Sequence, residues 1–378
     1  APVCAPSRSA LLTGRYPQHA GVPTNGRELP ADQKTIAALL KPHGYATALT
    51  GKWHLGGGES TIPNAHGFDY FYGFHAGCVD FFSHRFYWGE PRRVNFHDMW
   101  RNDKEIFEDG QYLTQRIAQE ASHFIEVNRS RPFFLYAAFN APHYPMHAPV
   151  EYMKRFAHLP LEKQVRAAML ASLDDGVGEI VSTLTRNGLL NNTMIFISSD
   201  NGATREPRGG IGQKPPTTGS NGAFRGYKFS LFDGGMHVPA IISWKGKVPA
   251  GRVNAEAAAH MDILPTICEA AQVPGPDRYK LDGISLMPVV TGAGKSPHDF
   301  LFWSSGGQQA VRRGFWKLVV NGYDADGTPN GRKPLTGEDA LFLSNLEDDP
   351  SESRNRRGEH PKIARELHHA LEKWSGSF

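Results

Sequence analysis

Cysteine is scarce in this chain. Cys4, Cys78 and Cys268 are the three among 378 residues, too few and too odd a number for a disulfide framework. Long apolar runs are lacking as well: none nears the ~18 residues of a membrane span, and the strongest, residues 133–139, suits a buried strand. Charge of one sign is not in excess either. Lys and Arg number 41 against 38 Asp and Glu, a net +3, which is too small to argue for nucleic acid on bulk charge, so any anion site must be local. The opening Ala1-Pro2-Val3-Cys4 carries neither Met nor a basic-then-apolar leader, so localisation is not legible from it. No internal repeat is found.

What is present describes a folded soluble protein, with 40% hydrophobic and 21% charged residues, near globular averages. The length predicts two to three domains, or one large α/β domain with an appendage. Apolar segments followed by polar loops alternate with helical patterns, the mark of a mostly parallel sheet covered by helices. Four such strands are expected at 46–50, 133–139, 194–199 and 238–244. The first three run into Gly51-Lys52-Trp53-His54, Asn140-Ala141-Pro142-His143 and Asp200-Asn201-Gly202, and ligands in open α/β sheets gather beyond the carboxyl ends of strands. Covering helices are expected at 32–41, 113–127 and 161–186 from apolar residues at helical spacing. Residues 274–297 are rich in Gly and Pro. Past them, short strand-like runs at 300–303, 315–320 and 340–343 and a helical pattern at 361–374 predict a smaller C-terminal α+β subdomain over 298–378, after a catalytic domain over 1–297. Residues 205–221 read as a long mobile loop beside Asp200.

The most specific stretch is Cys4-Ala5-Pro6-Ser7-Arg8-Ser9-Ala10-Leu11-Leu12-Thr13-Gly14-Arg15. Pro6 suits the first turn of a helix, which puts Cys4 at or just before a helix N-terminus, where free N–H groups and the dipole favour negative charge. Arg8 projects about one turn on, within reach of whatever replaces the thiol. Lys52 and His54 share a side, because alternate residues of an extended segment do. Asp200 and Asn201, at a strand end, supply two hard oxygen ligands suited to Ca²⁺ or Mg²⁺.

The Cys4–Arg15 segment resembles the signature of the type I sulfatases, and the later motifs extend the likeness over nearly the whole chain. The resemblance implies an alkaline-phosphatase-like fold and a sulfatase that acts on a sulfate monoester, most naturally on a sugar. It implies that a maturation enzyme, formylglycine-generating or anaerobic sulfatase-maturating, oxidises Cys4 to formylglycine. One hydroxyl of the hydrated aldehyde would attack sulfur and the second would expel sulfate, a step that a plain thiol could not perform. By the same resemblance Lys52 and Lys228 hold sulfate oxygens, His54 takes the proton that triggers sulfate release, and His143 protonates the leaving oxygen. Asp200 and Asn201 become metal ligands, and localisation becomes periplasmic, secreted or lysosomal.

One departure stands out. The family completes its metal site with two acidic residues on a strand ahead of the cysteine motif, and no such strand, a unit of about 30 residues with its crossover, precedes Cys4 in the sequence. The metal site is therefore expected to be half present, and Asp174-Asp175 is no replacement, since neighbours in a helical pattern point about 100° apart. Two other readings stay open: a phosphonate or phosphodiester hydrolase of the same superfamily, and an inactive N-terminally truncated fragment or binding protein. In the weaker segments, Asp262 is expected to cap a helix, and residues 346–355 to form a structural turn. Residues 68–84, rich in aromatics, resemble the pocket-side segment of the arylsulfatase B branch, which acts on N-acetylgalactosamine 4-sulfate; core packing accounts for them equally well.

Overall fold

The computed structural model describes residues 1–87, 95–275, 281–292, 294–324 and 333–378; of the Gly/Pro-rich stretch noted above, 276–280 and 293 lie outside these. Its largest sheet grows from β1 (Ala46–Lys52), every residue of which is buried. β1 pairs in parallel with β2 (Tyr70–Phe74) on one edge and with β5 (Phe133–Ala138) on the other. Two short strands, β3 (Trp100–Arg101) and β4 (Lys104–Glu105), extend the β2 side antiparallel.

Burial on both faces explains the small residues of β1. On one face Ala46 and Ala48 pack against Phe124 of α3 (Leu113–Val127). On the other, Leu49 meets Ala5 and Leu12 of α1 (Cys4–Thr13), a helix with all but one of its residues buried. α3 and α5 (Leu161–Arg186) cover the ranges expected of them. The 32–41 helix is shorter than expected: α2 is Ile36–Leu40, because Thr35 caps it by accepting from Ala38 N–H, and Pro42 and left-handed Gly44 then close a 3₁₀ turn.

The two remaining expected strands do not join the parallel sheet. β6 (Ile195–Ser198) and β7 (Ala240–Ser243) pair with each other, antiparallel. An apolar run signals a strand but carries no information about the direction of its partner. Phe196 of β6 still packs with Phe134 of β5 against Ile36, Leu40 and Leu264, the last from α7 (Ile263–Ala271). Thus β6 lies over the same helical layer as the large sheet. Helices α4 (Val150–Arg155), α6 (Asp233–Met236) and α8 (Met287–Val290) are short.

The C-terminal part is an antiparallel sheet in the order β13 (Leu341–Asn345), β10 (Trp316–Val320), β9 (Gln308–Arg313), β8 (Leu301–Ser305). It is backed by α9 (Pro361–Ser375), whose Ala364, Leu367 and Leu371 pack on Val311, Leu318 and Leu343. A two-stranded ladder of β11 (Tyr323–Asp324) and β12 (Lys333–Pro334) stands beside it. Sequence reading missed β9, since Gln-Gln at one end and Arg-Arg at the other hide its apolar centre. It also missed β2, whose aromatics left a pocket segment and core packing equally open. Among the described residues no helix is long and apolar enough to cross a membrane.

Candidate active site

α1 packs on Leu49 of β1 through Ala5 and Leu12, and its Arg8 bonds to residues of β1, of β5 and just past β6. Gly51 makes the end of β1 possible: its φ is +108° and a Cβ there would lie 2.2 Å from the carbonyl oxygen of Ala138, a contact no side chain survives. The strand then delivers Lys52, 2% exposed, into the interior. Cys4 opens α1 with Pro6 in the first turn, and no side chain of residue 3 caps the helix. Asn25 Oδ1 instead accepts from Ala5 N–H at 3.0 Å, leaving the Cys4 end to face the site.

Arg8, one turn along, ties the elements together. Its Nη1 donates to the Lys52 carbonyl at 2.8 Å and to Tyr136 OH on β5 at 3.3 Å, and its Nη2 to Asp200 Oδ2 past β6 at 3.1 Å. The Cys4 thiol donates to Asn201 Oδ1 at 3.3 Å. The structure therefore brings together Cys4, Arg8, Lys52, Asp200 and Asn201, drawn from three parts of the chain. His54 and His143 both feel the charge of Cys4, and Lys228 Nζ lies 3.5 Å from His143 Nε2.

The charges explain the protonation states. Burial raises the Cys4 thiol and Asp200 adds to that, but Lys228, Lys52 and the His143 contact outweigh both and hold it well below its ordinary value. Burial and then Lys52 push His54 down to about 4, so it is a neutral imidazole. Burial, Lys228 and Lys52 lower His143 too. Its Nδ1 lies 2.8 Å from the Tyr144 carbonyl, which can only accept, so Nδ1 carries the hydrogen and Nε2 turns its lone pair to Lys228. Burial would lower Lys228, but Cys4, Glu206 and Tyr144 raise it well above its usual value. Burial would raise Asp200, whereas Arg8, Lys52 and Lys228 hold it below the carboxylate range.

Sequence reading missed Glu206. Its Oε2 sits 3.2 Å from Lys228 Nζ and its Oε1 3.1 Å from Arg208 Nη2. Tyr144 OH donates to the same Oε1 at 3.2 Å. Glu206 lies in the 205–221 segment, which had been read only as a loop. That loop is anchored elsewhere as well, by Arg205 Nη1 on the Pro216 carbonyl at 2.8 Å and by Thr218 N–H on Glu162 at 2.9 Å.

Other candidates fall outside the cluster. Asp175 accepts from Tyr152 OH and pairs with Arg155 at the surface. Asp262 is fully buried and accepts from Ala259 N–H, Ile284 N–H and the His298 ring, a helix-capping and loop-tying position. Cys78 donates to the Tyr87 carbonyl at 2.6 Å, Asp80 pairs with His147, and Phe81 lies in the core. Asp349 accepts from the backbone of Ser353 and Arg354, as a structural turn requires.

The sulfatase family model matches residues 1–273. The chain belongs to the sulfatase family. Arylsulfatase J of Mus musculus is 29% identical over 97% of this chain and 67% of its own length. The N-acetylgalactosamine-6-sulfatase of Canis lupus familiaris is 33% identical over 84% of this chain. The chain spans 62% of that relative and 55% of the Escherichia coli sulfatase YdeN, which is 33% identical. Relatives with different substrate names match at similar identity, so the matches define the family rather than a branch of it. Among solved structures, Ps i-CgsB, determined in complex with k-i-k-neocarrahexaose, superposes with a TM-score of 0.83 at 29% identity, covering 99% of this chain and 82% of that one. The PsFucS1 sulfatase of Pseudoalteromonas sp. gives 0.79 at 25% identity, over 99% and 80%. The fold is thus the alkaline-phosphatase-like one.

This family implies a formylglycine and a divalent metal. The formylglycine fits: residue 4 is buried at a helix start, between two lysines and two neutral histidines. The metal fits only in part. Asp200 and Asn201 place two oxygens beside Cys4, but among the described residues no group of three or more His, Cys, Asp or Glu is positioned to hold a metal. Two oxygens fall short of the six to eight that Ca²⁺ takes.

Proposed function

We propose that this sulfatase hydrolyses a sulfate monoester on a carbohydrate, through a formylglycine made from Cys4. The observation that carries the reading is the convergence of Lys52, Lys228, His54 and His143 around Cys4, with Asn201 bonded to its sulfur and Arg8 tying Lys52 to Asp200. Formylglycine supplies a geminal diol, one hydroxyl to attack sulfur and another to expel sulfate.

The remaining steps belong to residues of the chain. Lys52 and Lys228 offer two ammonium groups to the sulfate oxygens, in a site dry enough for such pairs to count. His54, neutral, can accept a proton from the residue-4 hydroxyl. His143 Nε2 carries no hydrogen while the imidazole is neutral. To protonate the leaving oxygen it must first gain a proton, and a bound sulfate ester supplies the negative charge that favours this. Asp200 and Asn201 are the donors this chain would bring to Ca²⁺ or Mg²⁺; because they form a partial shell, no step is assigned to a metal. A maturation enzyme that oxidises Cys4, and export to the periplasm, outside the cell or the lysosome, belong to the same reading.

The test is hydrolysis. The chain co-expressed with a formylglycine-generating enzyme should lose the mass difference between Cys and formylglycine at residue 4 and then release sulfate from aryl and sugar sulfates. Faster turnover of a matched phosphodiester than of the sulfate would replace this reading with the diesterase one.

A further inference from the structure

A cavity of about 360 Å³ lies against the far side of His54, at the low end of the size range of small-molecule sites. His54, which feels Cys4 and Lys52 in the site, is also part of this cavity's lining, so the cavity opens next to the reacting centre. Trp100 and Phe96, the latter 51% exposed, also line the cavity. Aromatic faces of this kind pack against sugar C–H surfaces.

The acidic groups of the wall are already committed. Asp98 accepts from the N–H of His75 at 3.2 Å, of Ala76 at 2.7 Å and from Trp100 Nε1 at 2.8 Å. Glu28 accepts from Thr61 Oγ1 at 3.2 Å and Gly57 N–H at 3.5 Å. The cation is not. Arg27 stands exposed at the mouth, with no ion pair or hydrogen bond among the described residues. The cavity thus presents aromatic faces and one uncommitted positive charge, and holds its negative charges in its own frame.

We propose that this cavity receives the sugar portion of the substrate, and that Arg27 binds a second anionic substituent on that sugar, a sulfate or a carboxylate. The inference rests on the sulfatase reading for the identity of the first sulfate, and it narrows the substrate to a glycan carrying more than one negative group.

Calorimetry on the chain with Cys4 unconverted reads binding without turnover. The probes are D-glucosamine 6-O-sulfate, D-glucosamine 2-N,6-O-disulfate and a disaccharide that joins one 6-O-sulfate to a glucuronate, each against the wild type and Arg27→Gln. The wild type should bind the disulfate or the glucuronate probe about tenfold more tightly than the monosulfate, the scale of one charge-assisted hydrogen bond. Whichever probe is tighter identifies the second anion. Arg27→Gln, an exposed change, should abolish that advantage and leave the monosulfate within about twofold, well under one such bond. No preference in the wild type, a preference that survives in the variant, or an equal loss on all probes would each overturn the proposal. The sulfatase reading is judged apart, on the converted enzyme: if that enzyme hydrolyses no sulfate ester while the Arg27-dependent preference stands, the activity falls and the binding site remains.

Discussion

Glu206 Oε2 lies 3.2 Å from Lys228 Nζ, and the same ammonium lies 3.5 Å from Nε2 of His143. A carboxylate from a loop thereby sets the charge and direction of a lysine that faces the reacting centre. In the unconverted protein the Cys4 thiolate is the largest of the influences raising Lys228, with Glu206 next. Oxidation to formylglycine removes the first and leaves Glu206 as the nearest compensating charge.

Glu206→Gln should therefore make Lys228 easier to deprotonate. A lysine raised by a partner keeps its ammonium up to a higher pH, so removing the partner moves its loss to lower pH. The basic limb of kcat/KM should shift downward, and kcat/KM at neutral pH should fall about tenfold, ~1.4 kcal/mol, below the usual cost of truncating one partner of a buried charge pair. Glu206→Asp should recover part of the profile. A basic limb that stays in place in Glu206→Gln would show that Glu206 only packs the loop.

Cys4→Ser, which a formylglycine-generating enzyme does not oxidise, should take up sulfate at residue 4 and stop. The serine hydroxyl can attack sulfur, but residue 4 then has no second oxygen to expel the product. Mass spectrometry should find one sulfate per chain with no sustained release; continuous turnover would exclude the diol route.

His143→Ala should separate substrates by leaving group. Aryl sulfates leave without protonation, while sugar sulfates need the proton, and general acid catalysis is typically worth about 10²–10⁴-fold. The loss should fall on sugar sulfates and largely spare 4-nitrophenyl sulfate. Equal losses on both would take His143 out of the acid role.

Much of this architecture was legible in the chain, for identifiable reasons. Leu113–Val127 and Leu161–Arg186 carry a helical period over 15 and 26 residues, long enough for the pattern to decide. Residues 4 and 8 stood out at a helix start and 52, 54, 143, 200 and 201 at or just past strand ends, whereas Lys228, in a loop, was marked only by its likeness to the sulfatase motif. Glu206 did not, because it sits in a loop without period and matters only through Lys228, 22 positions away. Tyr136, a hydrogen-bond acceptor for Arg8, was concealed in an apolar strand beside Phe134. The antiparallel pairing of β6 with β7 was hidden for another reason: strand direction is set by tertiary packing and leaves no mark on a four-residue run.

The catalytic and C-terminal parts are joined by a buried ionic cluster whose removal should be measurable. Lys317 of β10 is fully buried, with Nζ 2.6 Å from Asp233 Oδ1 on α6 and 3.0 Å from Glu352 Oε1, and Asp233 N–H donates to Glu352 Oε2 at 2.6 Å. Burial raises Asp233, but Lys317 and then His237 hold it below the carboxylate range. Burial, Lys317 and Asp233 act on Glu352 with the opposite net result, an upward shift. Lys317→Met would strand two carboxylates in the interior and should cost about 3–5 kcal/mol at neutral pH, as breaking one side of a buried pair does. A depressed Asp233 contributes stability above its unfolded pKa and loses it as pH falls through the folded value. Protonation also relieves the stranded pair in the variant, so the gap between wild type and Lys317→Met should narrow steadily on acidification. Urea denaturation at a series of pH values checks this, and a gap that is constant or widens toward acid would mean that Lys317 contributes through packing of its methylenes rather than through its charge.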